Sequence, residues 1–492
     1  MSVLDCDLII VGLGPTGGVL ANLTAKHDLS VIILEKENKL YNLPRAVHFD
    51  DEIMRVFETI DISRNFLKKT IINKGTRFID EKNNLLLDWP RPKIITENGW
   101  YPSYRFHQPY LERSLRKILS KFKKVSISQN SDVFSVKNKS NFVEVKYKNL
   151  KTNKVSLLKS KFVVGCDGAN SFVRKAINSD LEDLGFQQKW AVIDVLLNNK
   201  NVLLPDRTIQ YCSSERPATY CRNVGRRRRW EIALKSEGDE KDFLKEKNLW
   251  KFLSRWVAKD DVQIERKTVY TFQSLIAKKW SKGRIFLAGD AAHLSPPFMG
   301  QGMCAGIRDV SNLAWKIAIC CQNFHNNLLK SYQSERYNNV KEYINTTMNM
   351  GKLLNEIGDT NVSKTVKNSN DGKRTMTSIK PSLGPGLGKK NDTNRGKVFP
   401  NMRINNKRVD EYFDKNLILF SKNNYKNKLI KNISVQQFET LSCALKKFNS
   451  EALIVRPDRY ILSSTNDNNL NDFVDKTMLE VYDYKKGIKL EN

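Results

Sequence analysis

Four groups of residues in this 492-residue chain have the types and spacing to do chemistry. The first is Gly12-Leu13-Gly14-Pro15-Thr16-Gly17, which lies between an apolar run, Leu8–Val11, and a helical stretch, Val19–Lys26. Glu35 ends the next apolar run, Val31–Leu34. This is the dinucleotide fingerprint in its required context. Gly12 makes the tight turn, Gly14 lets a pyrophosphate reach the backbone, Gly17 lets helix and strand close up, and Glu35 can hold ribose hydroxyls. The second group is Asp167 and Gly168, at the tip of the apolar run Phe162–Cys166. The third is the stretch Gly283–Lys316, where a short strand (Ile285–Ala288) is followed by Gly289, Asp290, the pair Pro296-Pro297, and Gly300 and Gly302 around Gln301. Strand, acid, rigid turn, glycines and helix start form a mould for a flat ligand with polar edges. The fourth is Arg45 and Gln108, each placed just before a predicted helix. Arg45 could reach a phosphate or adenine and Gln108 could touch a cofactor; a surface arginine and a capping amide are the competing readings.

Such residues need a parallel sheet to hold them at its C-terminal edge. The runs Leu8–Val11, Val31–Leu34, Phe162–Cys166 and Ile285–Ala288 read as its buried strands, and 125–160 as a polar β-meander. Arg45–Arg55 reads as the opening of a helix with Asp50 and Asp51 in its first turn. Residues 186–275 have the short alternating strands of a different sheet, a helix over Asp242–Trp256, and a run, Arg226–Arg229, read as a solvated hairpin with one or two structural pairs. Leu328–Leu354 is helical. Residues 358–410 are rich in Asn, Lys, Gly and Pro and read as a linker, and 415–465 as a small α/β unit.

Composition narrows the classes. Lys plus Arg is 83 and Asp plus Glu is 53, a formal charge of +30. The lysines travel with asparagines along the whole chain and no recognition motif accompanies them, so nucleic acid is not the expected partner. Eight cysteines show no CxxC spacing and five histidines form no ligand pair, so no metal site is expected. No apolar run is long enough for a transmembrane helix, and acids rather than a basic segment precede the first apolar run, so a cytoplasmic protein with free thiols is expected. His48 and His293 are tempting proton carriers; a brace at a turn is the competing reading for His293.

Taken in order, Gly12–Gly17 with Glu35, Cys166-Asp167-Gly168, and Ala288-Gly289-Asp290 with the PPxxGQG turn resemble the single-component FAD-dependent aromatic hydroxylases of the para-hydroxybenzoate hydroxylase fold. The likeness spans residues 5–350. PRAVHFDDEIMR, VGRRRRWE and LIVRPDRYIL are most similar to members acting on 3-(3-hydroxyphenyl)propionate. The resemblance implies a Rossmann-like FAD-binding domain (1–70, 100–185 and 276–355) interleaved with a substrate-binding β-sheet domain (71–99 and 186–275), a linker (356–400) and a reduced thioredoxin-like α/β domain (401–492). It implies FAD, with NAD(P)H as electron donor, O2 and a phenolic acid as partners, and leaves a homodimer open. It further implies that Gly12, Gly14, Gly17 and Glu35 bind the ADP half, that Arg45 and Gln108 steady the cofactor, that Asp167 and Gly168 lie near the pyrophosphate, and that Gly289 and Asp290 hold the ribityl chain. Pro297 would lie by the flavin ring, and Gly300, Gln301 and Gly302 would face its pyrimidine end. The implied reaction inserts one oxygen atom ortho to a phenol through a flavin C4a-hydroperoxide. A quinone-precursor hydroxylase or an epoxidase on the same scaffold is the alternative; a basic nucleic-acid-binding protein is a more distant one.

Overall fold

The computed structural model describes residues 3–482 apart from 199–200, 214, 236–238, 323–325, 357–378, 405, 414, 428–429 and 468. Its centre is the strand Cys6–Val11, paired in parallel with Val31–Leu34 on one side (Leu8 opposite Val31) and with Val155–Gly165 on the other (Leu8 opposite Phe162, Val11 opposite Gly165). Val125–Ser128 and Ile285–Leu287 extend this parallel set, and Ser131–Asn138, Val143–Asn149 and Ser281–Lys282 add antiparallel edges. Where they pair at the centre, over Leu8–Val11, Val31–Leu34 and Phe162–Val164, these strands are apolar because both faces are covered. Helices Pro15–Lys26 and Gly302–Gln322 pack on each other here, with Thr16 in a notch between Gly289 and Gly306.

A second sheet of eight strands runs in the order His293–Leu294, Val262–Ala277, Leu181–Leu197, Arg227–Ala233, Ala218–Arg222, Thr208–Tyr211, Gly75–Ile79 and Leu85–Pro90. Two of its strands come from residues 75–90, and one of these pairs in parallel with Thr208–Tyr211, Thr76 lying opposite Thr208. The long strands Leu181–Leu197 and Val262–Ala277 carry the chain out of the first sheet region and back.

Three local readings differ from the structure. The stretch Arg45–Arg55 is not one helix: His48–Asp50 is a strand paired with Ser103–Arg105, and the helix Asp51–Thr59 begins after it. Pairing with a strand about fifty residues away decides this, and Asp50 becomes the N-cap, accepting from the Ile53 N–H at 3.2 Å. The first helix starts at Pro15 rather than Val19, since proline at the first position already has the helical φ. The helix read over Asp242–Trp256 is two, Asp239–Phe243 and Glu246–Leu253.

The C-terminal layer is a four-stranded sheet, in the order Lys431–Ser434, Ile418–Ser421, Ala452–Val455 and Ile461–Thr465, with helices Leu441–Lys447 and Leu470–Tyr482. Its side chains alternate between two cores. Leu419, Ile454 and Leu462 join the core of the first sheet, whereas Ile418, Phe420, Leu453, Val455 and Ile461 fill a core of their own. Each such side chain removed from water contributes about 1.5–3 kcal/mol. Cys443 is exposed and a free thiol. Of the stretch read as a linker, 357–378 lies outside the described residues. Residues 379–402 are mostly irregular but closely packed: Gly384 N–H donates to the Glu335 carbonyl at 2.8 Å, and Leu383 and Leu387 are buried.

Buried ions seal this layer to the rest. Arg55 donates through Nε and Nη2 to Asp410 at 2.8 and 2.7 Å, and Arg459 Nε donates to the same carboxylate at 2.9 Å. Glu335 accepts from Lys316 Nζ at 2.8 Å and pairs with Arg456 at 2.9 Å. Burial alone would raise the Glu335 carboxyl; Arg456 and Lys316 outweigh it and hold it down at about 2. Burial pulls the Lys316 ammonium down to about 8 despite Glu335.

Candidate active site

The Gly-rich turn joins Cys6–Val11 to Pro15–Lys26. A Cβ on Gly12, whose φ is +98°, would stand 2.5 Å from the Cys166 carbonyl oxygen, and one on Gly17 would stand 2.1 Å from the Gly12 oxygen. The protein's own backbone therefore demands both glycines. Gly14 differs: its backbone is extended (φ −72°) and nothing lies within 4 Å of the position of a Cβ. Gly14 is the N-cap of Pro15–Lys26 and no side chain caps that helix. An open cradle beside an uncapped helix N-terminus suits a pyrophosphate. Glu35 accepts from the Leu13 N–H at 2.6 Å and from the Glu37 N–H at 2.9 Å. It therefore tethers the turn, and the remaining lone pairs of its oxygens can take ribose hydroxyls. On these observations the residues fit the ADP half of FAD.

The other strand ends converge on the same edge. Asp167 accepts from Ser171 Oγ at 2.5 Å and from the Val173 N–H at 3.0 Å, so its carboxylate is committed to starting the helix Phe172–Ala176. Gly168, at φ +78°, has open space around it. Gly289, at φ +63°, donates its N–H to Asp309 Oδ2 at 3.0 Å, and Asp290 next to it is exposed. Asp309 is fully buried. It pairs with His293 Nε2 at 2.6 Å and Arg336 Nε at 2.9 Å, and these two hold its carboxyl low against the effect of burial. His293 is 1% exposed and serves as a brace beneath the turn.

Pro297–Met299 form one turn of 3-10 helix, Gly300 follows at φ +64°, and the helix Gly302–Gln322 begins with open space beside Gly302. The Gly300 carbonyl lies 3.3 Å from His48 Nδ1, and His48 Nε2 lies 2.7 Å from Ser103 Oγ, which accepts from Asn73 Nδ2 at 3.0 Å. A carbonyl only accepts, so Nδ1 carries the proton and Nε2 accepts from Ser103. Burial and the charges of Arg91 and Arg105 push the His48 pKa down to about 3. The ring is neutral at neutral pH and acts as a strut. The unfolded chain binds a proton near pH 6.5 that the folded chain refuses, so stability falls as pH drops below that value. His48 alone should cost about 2 kcal/mol between pH 7 and pH 5. Urea unfolding at both pH values checks this: the difference should shrink by that amount in His48→Gln, and an unchanged difference would refute it.

Gln301 is buried; its Oε1 accepts from Arg308 Nη1 at 3.2 Å. Arg308 also donates to Glu52 and Asp50, both at 2.7 Å. Arg45 is exposed, its side chain over the Tyr41 ring at 5.3 Å, and it is its backbone that is tied into the site. Gln108 Oε1 accepts from the N–H groups of Arg45 and Ala46 at 3.0 and 2.7 Å, while Nε2 donates to Glu112 at 2.8 Å. Gln108 thus fixes the Arg45–Ala46 segment.

The second sheet closes over this edge. Asp194 is bound by Arg229 Nε at 2.8 Å and by Arg266 Nε at 2.9 Å. The same arginines donate to the carbonyls of Arg45 (2.8 Å) and Pro44 (2.6 Å). Trp190 meets Phe298 of the proline turn edge-on, ring centres 5.4 Å apart. Arg105, opposite His48 in register, donates to Thr208 Oγ1 across the seam between the sheets. It is half-buried, and Arg91 is near enough that the two guanidinium charges oppose each other. Asp309, Arg308, Asp50 and the Asp194–Arg229–Arg266 triad carry no local sequence signature.

Comparison with known proteins shows the family and the fold. A family model described as FAD binding domain matches residues 5–347. Over 353 residues the chain is 35% identical to a probable NADH-specific resorcinol 4-hydroxylase of Rhodococcus jostii, covering 70% of this chain and 65% of that one. Over 351 residues it is 32% identical to a 3-(3-hydroxy-phenyl)propionate/3-hydroxycinnamic acid hydroxylase of Burkholderia cenocepacia, covering 71% of this chain and 64% of the relative. The chain thus spans slightly less than two thirds of the length of these relatives. A solved complex of aklavinone-11 hydroxylase with FAD and aklavinone shares the fold, with a TM-score of 0.82 at 16% identity over 98% of this chain and 100% of that one.

Proposed function

Given that the chain belongs to the FAD-binding-domain family matched over residues 5–347, we propose that it is a flavin-dependent monooxygenase placing one oxygen atom of O2 ortho to the hydroxyl of a phenolic acid such as 3-(3-hydroxyphenyl)propionate. The observation that carries this reading is that the helix Pro15–Lys26, with the open Gly14 cradle at its start, packs on the helix Gly302–Gln322, while Phe298 of the turn before that helix meets Trp190 of the second sheet. FAD reduced by NADH would supply the oxygen chemistry; the name of the resorcinol-hydroxylating relative supports NADH. Gly14 with the start of Pro15–Lys26 would hold the pyrophosphate, Glu35 the ribose, Asp290 the ribityl chain, and Gly300–Gly302 the pyrimidine end. The protein's remaining tasks are to orient the ring and exclude water. Trp190 and Phe298 supply an apolar wall. Arg105 supplies positive charge at the seam, which favours a carboxylate-bearing phenol over an uncharged one. All eight cysteines are free, and among the described residues no helix is long and apolar enough to cross a membrane; both support the proposal of a cytoplasmic setting.

The test is NADH oxidation and O2 uptake by the FAD-loaded protein with a panel of phenols, the product analysed for label from 18O2. Stimulation by aromatic acids with one labelled oxygen gained is the expected result. No stimulated uptake with any phenol would remove the proposal, and a labelled product from a non-phenolic alkene would favour an epoxidase. Arg105→Gln should raise KM for the acid about 10–100-fold relative to its primary amide, the worth of one charge-assisted hydrogen bond. Equal changes for acid and amide would exclude Arg105 as the carboxylate's partner.

A further inference from the structure

A continuous run of polar contacts leads from the C-terminal layer to the Gly300–Gly302 turn. Tyr460, buried just before the last strand of that layer, donates its hydroxyl to Glu52 Oε1 at 2.6 Å. The other oxygen of Glu52 accepts from Arg308 Nε at 2.7 Å. Arg308 continues to Asp50 through Nη2 and to Gln301 through Nη1. Burial, with the Glu52 charge adding to it, drives the Tyr460 phenol well above its ordinary range, so it remains a donor. Arg308 is held from outside by the Tyr343 ring, 4.9 Å from its guanidinium carbon. All three donor nitrogens of Arg308 are therefore committed, two to helix Asp51–Thr59 and its cap, one to the turn.

We propose that Tyr460 is a positioning residue for the flavin site, acting through Glu52 and Arg308 to set Gln301 and the backbone of the Gly300–Gly302 turn. The inference rests on reading that turn as the neighbour of the flavin's pyrimidine end; it does not depend on which aromatic compound is the substrate. Without the Tyr460 hydroxyl, Glu52 Oε1 loses its donor, and the Arg308 guanidinium is drawn towards Glu52 and away from Gln301. The weakest of its three bonds, 3.2 Å to Gln301, is the one that yields. The turn opens the helix Gly302–Gln322, whose first N–H groups favour negative charge. Reduced flavin carries more negative charge at that end than oxidised flavin, so a displaced turn weakens binding of the reduced form more.

The experiment compares Tyr460→Phe with Tyr412→Phe, which removes another hydroxyl of the same layer, one that among the described residues donates to the Ile404 carbonyl at 3.2 Å and takes no part in the run to Arg308. The midpoint potential and visible spectrum of bound FAD are measured without aromatic substrate, with thermal melting alongside. In Tyr460→Phe the affinity ratio of reduced to oxidised FAD should fall about 3–10-fold, lowering the two-electron potential by about 15–30 mV and altering the flavin band. Tyr412→Phe should leave both unchanged. If Tyr460→Phe melts earlier but keeps the parental potential and spectrum, Tyr460 is only a clamp between layers and the proposal is overturned. Should Tyr460→Phe fail to fold, Glu52→Gln, which weakens the pull of residue 52 on Arg308 and favours the bond to Gln301, must shift the potential upward, and a parental potential there also overturns it. Failure of the parent chain to bind FAD would appear first, as the failure of the flavin-site reading itself.

Discussion

A Gly14→Val chain should fold and melt like its parent, yet bind FAD at least about 100-fold more weakly, a loss of about 2.7 kcal/mol. The extended backbone at Gly14 accepts any L residue, and apart from its own residue and its two chain neighbours nothing lies within 4 Å of the added Cβ. Nothing in the fold resists the valine; only a group seated on the helix N-terminus would. Gly17→Val is the contrasting case. Its Cβ would press on the Gly12 carbonyl at 2.1 Å, so turn and helix must part, and loss of stability should accompany loss of binding. Flavin fluorescence titration with parallel thermal melts separates the two. A Gly14→Val protein with parental affinity would mean that the cofactor does not pass this turn.

The second large effect is expected at Asp410. Asp410→Ala leaves the buried guanidiniums of Arg55 and Arg459 facing each other without their shared carboxylate, at a cost of about 3–5 kcal/mol. Asp410→Asn, which keeps the shape and loses the charge, should cost part of that. Burial opposes ionisation of Asp410, but Arg55 and Arg459 prevail and hold its carboxyl below the usual range. The sign follows: this stabilisation is complete above the ordinary aspartate range and fades as pH falls through the lowered value. Denaturant midpoints of parent and variants at neutral pH measure the effect, and a shift worth less than about 1 kcal/mol for Asp410→Ala would show that the arginines find other partners.

What could be read from the sequence was what is local. Gly12, Gly14 and Gly17 announce themselves because strand, turn and helix follow within a few residues; the fold itself demands Gly12 and Gly17 and leaves space at Gly14. The Gly300–Gly302 turn was legible for the same cause. The residues that hold these turns were not: Arg308 meets Asp50 across 258 positions, and Arg229 meets the Arg45 carbonyl across 184. Ion pairs leave no periodic trace, so nothing in the chain marks one buried arginine among 83 basic residues. Gln108 was found for its place beside the helix start, but its amide serves the Arg45–Ala46 backbone. The segment before Asp51 read as helix because two acids suit a first turn; pairing with Ser103–Arg105, invisible locally, decides for a strand. Likewise the polar composition of 379–402 conceals Leu383 and Leu387, which are buried.

The two-faced C-terminal sheet bears on how this protein can be subdivided. The family match ends at residue 347, yet Leu419, Ile454, Leu462 and Phe473 complete the interior that begins with Leu8 and Ile10. The edge of similarity is thus not a seam in the molecule. A shortened version stopping there would leave an oily flank bare, deprive Arg55 of Asp410, and leave Glu335 with Lys316 but without Arg456. Recombination that exchanged this tail for a relative's would need to swap both halves of each buried pair at once.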